Sequence, residues 1–200
     1  PERMAGYRAF GNKIWNATRF ALSKVGEARI PETIDFAALA LPERWILSRL
    51  SATAESVRVA LEDFRFDLAC RDLYHFFWSD FCDWYIEMAK PGLDPGSERL
   101  LVKEVLLLTL DRALRLLHPA MPFLTEELWQ KLPGHESIHP QTICLAAYPE
   151  QVPGWELSAL EVDRMSLFRD TVTILRNDRA DKKLTHRVKA DLYLQSAKSG

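Results

Sequence analysis

The run LLVKEVLLLTLDRALRLL, from Leu100 to Leu117, constrains this chain more than any other stretch. A helix apolar on nearly every side is either a membrane span or the centre of a core. Lys103, Glu104, Asp111, Arg112 and Arg115 interrupt the run, and a bilayer centre penalises such charges heavily. It therefore predicts a core helix enclosed by other helices, with no membrane as a partner. Two hundred residues at 48% hydrophobic content hold enough apolar surface for one full globular core, or one domain with a partial second.

Proline and glycine divide the rest into long helical segments. The first helix is expected from about Arg3 to Val25, with Gly26 as its stop, and Ala28 to Pro42 as a connecting loop. A second runs from Pro42 to about Asp63. The third, Leu68 to about Ala89, sets Leu73, Phe77, Phe81, Trp84 and Met88 on one seam, with Tyr74, Trp78 and Tyr85 beside it. PGLDPGSE, Pro91 to Glu98, reads as a turn before the Leu100–Leu117 helix. That helix ends at His118-Pro119, and a short fifth spans about Phe123 to Leu132.

Between Pro133 and Pro153 the sequence is irregular, with an extended piece at TICLAAY. A sixth helix, about Leu157 to Asp181, carries Met165, Phe168, Val172 and Leu175 at packing intervals. Val188, Ala190, Leu192 and Leu194 then alternate with Lys189, Asp191 and Tyr193, the period of a strand. The expectation is a mainly α fold: an antiparallel helical bundle over residues 1–155, then a linker helix and the first strand of a truncated α+β unit over 156–200. A first residue of Pro1, with no charged-then-apolar leader after it, predicts a cut made inside a longer protein.

A formal charge of −2 conceals an asymmetry: residues 1–24 and 176–198 are each strongly basic, and the remainder is strongly acidic. Positive charge collected at two places suits a polyanion gripped at one face. Cys70, Cys82 and Cys144 are odd in number and lack the paired spacing of a zinc site, which predicts reduced thiols, no metal site and a cytoplasmic location. There is no glycine-rich phosphate loop, no GxSxG and no HExxH. Asp72, Asp80, Asp83 and Glu87 share one arc of the third helix, but no E-x-x-H element faces them, so they read as a solvated or arginine-paired acidic face. His135 and His139 read as an ordinary surface loop. No catalytic residue and no cofactor is assigned to these 200 residues.

The first helix carries the chemistry. At about 100° per residue, Tyr7, Phe10, Ile14, Ala17, Thr18 and Ala21 share the arc expected to bury, while Arg8, Asn12, Lys13, Asn16 and Arg19 occupy the opposite arc. Phe20 falls among the second group, one turn beyond Asn16. A phenyl ring among cations and amides is either packed against protein or a platform for an unpaired base, with arginine and lysine on phosphates and asparagine on base edges.

The stretches AFGNKIWNATRFAL, LPERWILSRL, FFWSDFCDWYIEMAK and LHPAMPFLTEELWQKLP, with the AAYP ending at Pro149, resemble in order and spacing the anticodon-binding helical domain of class I aminoacyl-tRNA synthetases. NKIWNATRF and DFCDWYIEMAK are closer to the valyl pattern than to the isoleucyl and leucyl ones. Arg176, Asn177, Arg179 and Ala180 fit the R-N-x-R-A segment of the family's linker helix. The resemblance implies that Lys13 and Phe20 touch anticodon bases; by the helical wheel Arg8, Asn12, Asn16 and Arg19 share that face, and Trp15, at the margin of the buried arc, is expected in the core. It implies a valine tRNA as partner and a catalytic domain of the same polypeptide that uses ATP and Mg to ligate valine. The HIGH-like and KMSKS-like catalytic motifs are absent from this sequence, so the chain alone is expected to bind and not to catalyse. The alternatives are the same domain from an isoleucyl or leucyl enzyme, or a helical module that docks another protein through the Phe20 face.

Overall fold

The computed structural model describes residues 2–94, 97, 99–138 and 140–184, and their side chains apart from those of residues 2–5 and 7. Its helices are α1 (Glu2–Val25), α2 (Leu41–Glu62), α3 (Phe66–His75), α4 (Ile86–Leu93), α5 (Leu100–Leu117), α6 (Pro122–Trp129), α7 (His135–Ile138) and α8 (Ala159–Asp181). No strand occurs among the described residues, and the fold is mainly α. The predicted strand at 188–194 lies outside them. The chain forms two compact units, Pro1–Ser158 and Ala159–Gly200.

Within the first unit α5 is the enclosed element, packed against α1, α2, α4 and α6. Val105, Leu106, Leu107, Leu110, Leu114 and Leu116 have no exposed surface, and full burial of such a side chain stabilises by roughly 1.5–3 kcal/mol. Two of the charges of α5, Asp111 and Arg115, satisfy each other internally. Asp111 accepts from Trp129 Nε1 at 2.7 Å and from Arg115 Nη2 at 2.6 Å, and Arg115 Nη1 donates to the Ala147 carbonyl at 2.6 Å. That set ties α5 to α6 and to the irregular segment beyond it. Two glycines place the ends: Gly26, at φ 59°, stops α1 in the left-handed region. Gly92 lets α4 approach α5, since a Cβ there would lie 3.0 Å from Val102 Cγ2.

Between α3 and α4 the chain winds as a π-helix over Phe76–Tyr85, marked by the Ile86 N–H donating to the Phe81 carbonyl. Hydrogen bonds from i to i−5 add a residue to each turn. The buried set is therefore Leu73, Phe77, Phe81, Tyr85 and Ala89, whereas Trp84 and Met88, assigned to the seam by an α period, are half-buried. TICLAAY is not extended: Ile143–Leu145 form a 3₁₀ turn, because Thr142 Oγ1 accepts from the Cys144 N–H and caps it. On α8, Met165 is buried and Val172 and Leu175 are half-buried, but Phe168 is 46% exposed. Among the described residues the second unit is one helix, and one helix offers no second layer on which to close a seam.

Candidate nucleic-acid interface

α1 separates its faces sharply. Phe10, Ile14, Ala17, Thr18, Ala21 and Val25 are buried, with the Thr18 hydroxyl satisfied by the Ile14 carbonyl at 2.9 Å. The side chain of Tyr7 lies outside the described set. Arg8, Asn12, Asn16 and Arg19 are exposed on the opposite stripe, and among the described residues neither arginine has an acidic partner. Two uncompensated guanidinium groups and two amides thus face solvent along three turns of helix.

Lys13 and Phe20 lie on the edge of that stripe and are half-buried. Lys13 Nζ donates to Asp83 Oδ1 at 2.8 Å and sits 5.0 Å from the centroid of the Trp78 ring. Burial works against its ammonium, but the hydrogen bond and charge of Asp83 outweigh it, so the amine is held above its ordinary pKa. Lys13 is a positioned donor more than a source of net charge. Phe20 is partly covered, not a ring standing free in water.

Trp15 corrects the expectation that it joins the core: it is 37% exposed, with Lys131 Nζ 5.9 Å from its ring centroid. The helical wheel contained the signal, since Trp15 lies about 40° from Arg19 at 100° per residue. Beside the stripe, Tyr74 and Trp78 stack at 5.4 Å, and Phe10 meets Tyr74 at 4.8 Å. Sequence reasoning missed Asp83 as the partner of Lys13, because the two are 70 residues apart. It did anticipate the pairing of the acidic arc. Arg49 donates to buried Asp80 at 2.8 Å, Arg71 and Ser56 to Asp72, and Lys90 to Glu87.

A group of ligand-type side chains meets beyond the C-terminal end of α5. His118, Glu126 and Cys144 each bring a ligand atom within 4.8 Å of the others. His135 Nδ1 donates to the Leu132 carbonyl at 2.7 Å, and its ring lies 4.9 Å from Trp129; His139 is outside the described residues. No described helix is long and apolar enough to cross a membrane.

The family described as the anticodon-binding domain of tRNA ligase matches residues 43–194. The chain is similar to the valine–tRNA ligase of Geobacter sulfurreducens, 46% identical over 184 residues, covering 90% of this chain and 20% of that protein. It is also similar to the valine–tRNA ligases of Thermotoga maritima, at 42% identity over 98% of this chain and 22% of the relative, and Neisseria gonorrhoeae, at 41% over 98% and 21%. The chain thus spans about a fifth of the curated relatives it matches.

Proposed function

Because this chain belongs to the family of tRNA-ligase anticodon-binding domains, we propose that the outward face of α1 recognises the anticodon loop of a valine tRNA, as part of a valine–tRNA ligase. The observation that carries this reading is the stripe itself: Arg8, Asn12, Asn16 and Arg19 exposed in register, edged by half-buried Lys13 and Phe20 and by exposed Trp15. Sequence-specific RNA recognition targets unpaired bases, which stack on aromatic rings and present their edges to side chains.

Each residue then has a part fixed by its chemistry. Phe20, partly packed and so pre-ordered, offers its open surface to a base. Lys13 keeps two N–H donors after giving one to Asp83, and these reach base or phosphate oxygens from a fixed position. Asn12 and Asn16 pair donor and acceptor with a base edge, and Arg8 and Arg19 hold phosphates. In the intact ligase, a catalytic domain of the same polypeptide activates valine with ATP and Mg²⁺ in the cytoplasm and esterifies it to the tRNA. This chain contributes recognition and no catalysis.

The test is a salt titration of the chain against a valine-tRNA anticodon stem-loop, beside loops altered at the central and third anticodon bases. Preference for the unaltered loop, weakening as salt rises, is expected. Tighter binding of an isoleucine or leucine anticodon would reassign the tRNA. Salt-insensitive binding without base preference would turn the face into a protein-docking surface.

A further inference from the structure

We propose that His118, Glu126 and Cys144 form a binding site for a single thiophilic divalent cation of the zinc class. His118 follows the last turn of α5, Glu126 lies in α6, and Cys144 sits in the Ile143–Leu145 turn. The sequence separates them too far for a spacing motif, but the fold brings their ligand atoms within 4.8 Å of one another. Tetrahedral zinc takes this mixture of imidazole, carboxylate and thiolate, with water in the fourth position.

The hydrogen bonds around the three residues orient them as ligands. Thr125 Oγ1 gives its one hydrogen to the Met121 and Pro122 carbonyls, at 3.0 and 3.3 Å. With that hydrogen on the carbonyls it accepts from His118 Nδ1, 2.7 Å away, in the Nδ1–H tautomer that a cation on Nε2 requires. The Nε2 lone pair is left pointing at Cys144 Sγ, 3.1 Å away. A hydroxyl that fixes the tautomer of a metal-binding histidine is the usual outer partner of such a site. Glu126 is held equally firmly: Oε2 accepts from Thr142 Oγ1 at 2.9 Å and the Ile143 N–H at 3.1 Å, while Oε1 accepts from Gln130 Nε2 at 2.7 Å. By lone-pair count Oε1 keeps capacity for a further bond.

Cation binding replaces the S–H···N contact by S–M and N–M bonds and releases the Cys144 thiol proton to solvent. Thiolate and carboxylate then balance the two charges of the ion. Cys144 is exposed, so the cation has a route in. The bound ion staples the irregular segment after α7 to the ends of α5 and α6.

Titration of the reduced chain with Co²⁺, read by thiolate-to-cobalt charge-transfer absorption, tests this. One equivalent should saturate the band, and Zn²⁺ should then bleach it. Cys144→Ser, at an exposed position, should abolish the band with the fold intact by circular dichroism, and Cys70→Ser should leave it unchanged. Thr125→Val should weaken affinity about 10–100-fold. Absence of a stoichiometric band, its survival in Cys144→Ser, or its loss in Cys70→Ser overturns the site.

Discussion

α5 and α1 both carry charge, and the Asp111 and Arg115 of α5 and the Arg8 and Arg19 of α1 are treated in opposite ways. On α5, Asp111 is fully buried and Arg115 nearly so, each neutralising the other with Trp129 and the Ala147 carbonyl completing their hydrogen bonds. On α1, Arg8 and Arg19 are exposed with no acidic partner among the described residues. Enclosed charges that leave a desolvated group when broken hold a fold together, whereas charges left uncompensated in water retain their field for a ligand. Lys13 stands between the two cases, half-buried and already paired with Asp83.

The largest effect should come from breaking the enclosed set. Asp111→Ala removes the charge partner of Arg115 and the carboxylate acceptor of the Trp129 N–H, and should cost about 3–5 kcal/mol of stability, measured by urea unfolding. The RNA affinity of the molecules that remain folded should not change. A parallel loss of affinity would mean that the two regions are not separable. Next comes Phe20→Ala, which should weaken anticodon stem-loop binding by about 1–3 kcal/mol if a base stacks on the ring, with unfolding measured separately because Phe20 is half-buried. Unchanged affinity with an intact fold would remove Phe20 from the interface.

How much of this contrast the sequence carries differs between the two helices. The enclosure of α5 is legible because an apolar run broken by five charges has only one soluble solution, and the boundaries of α1 follow from its periodicity and Gly26. The stripe of Arg8, Asn12, Asn16 and Arg19 is also legible, since an angular wheel needs no tertiary knowledge. Three features are not. The π winding at Phe76–Tyr85 moves the buried face from Trp84 to Tyr85, and a row of bulky aromatics has no local mark that sets the period of its helix. The Lys13–Asp83 pair and the His118–Glu126–Cys144 group depend on which helices pack together, and no spacing in the chain encodes that.

Smaller effects divide the exposed stripe from its edge. Arg8→Ala and Arg19→Ala should each lower the salt slope of RNA binding by about 0.7, the value for one phosphate of a single strand, and their double variant by the sum. A slope that does not move would place the phosphates elsewhere, with the basic residues of α8 the next candidates. Neither substitution should affect unfolding by more than about 0.5 kcal/mol, as expected of surface positions without special contacts.

The smallest effect, and the one that decides what Lys13 is, belongs to Asp83→Asn. The pair is partly exposed, with side-chain exposures of 31% and 44%, so its loss should cost less than about 1 kcal/mol. RNA affinity should rise a few-fold at low salt, because the substitution removes a negative charge from the interface and releases an ammonium donor. The stability difference has a definite pH dependence. Asp83 raises the folded-state pKa of Lys13 above its ordinary 10.5, so the pair's contribution is fully present below that value and disappears as pH rises through the folded one. Wild type and Asp83→Asn should therefore differ in melting temperature at pH 7 and converge in alkali. Cys82 and Glu87 also face the amine, and burial moves the Cys82 thiol up to about 12, so the comparison belongs below that pH. If the variant loses RNA affinity instead of gaining it, Asp83 serves to aim Lys13 at the loop, and the edge of the stripe works by geometry where its centre works by charge.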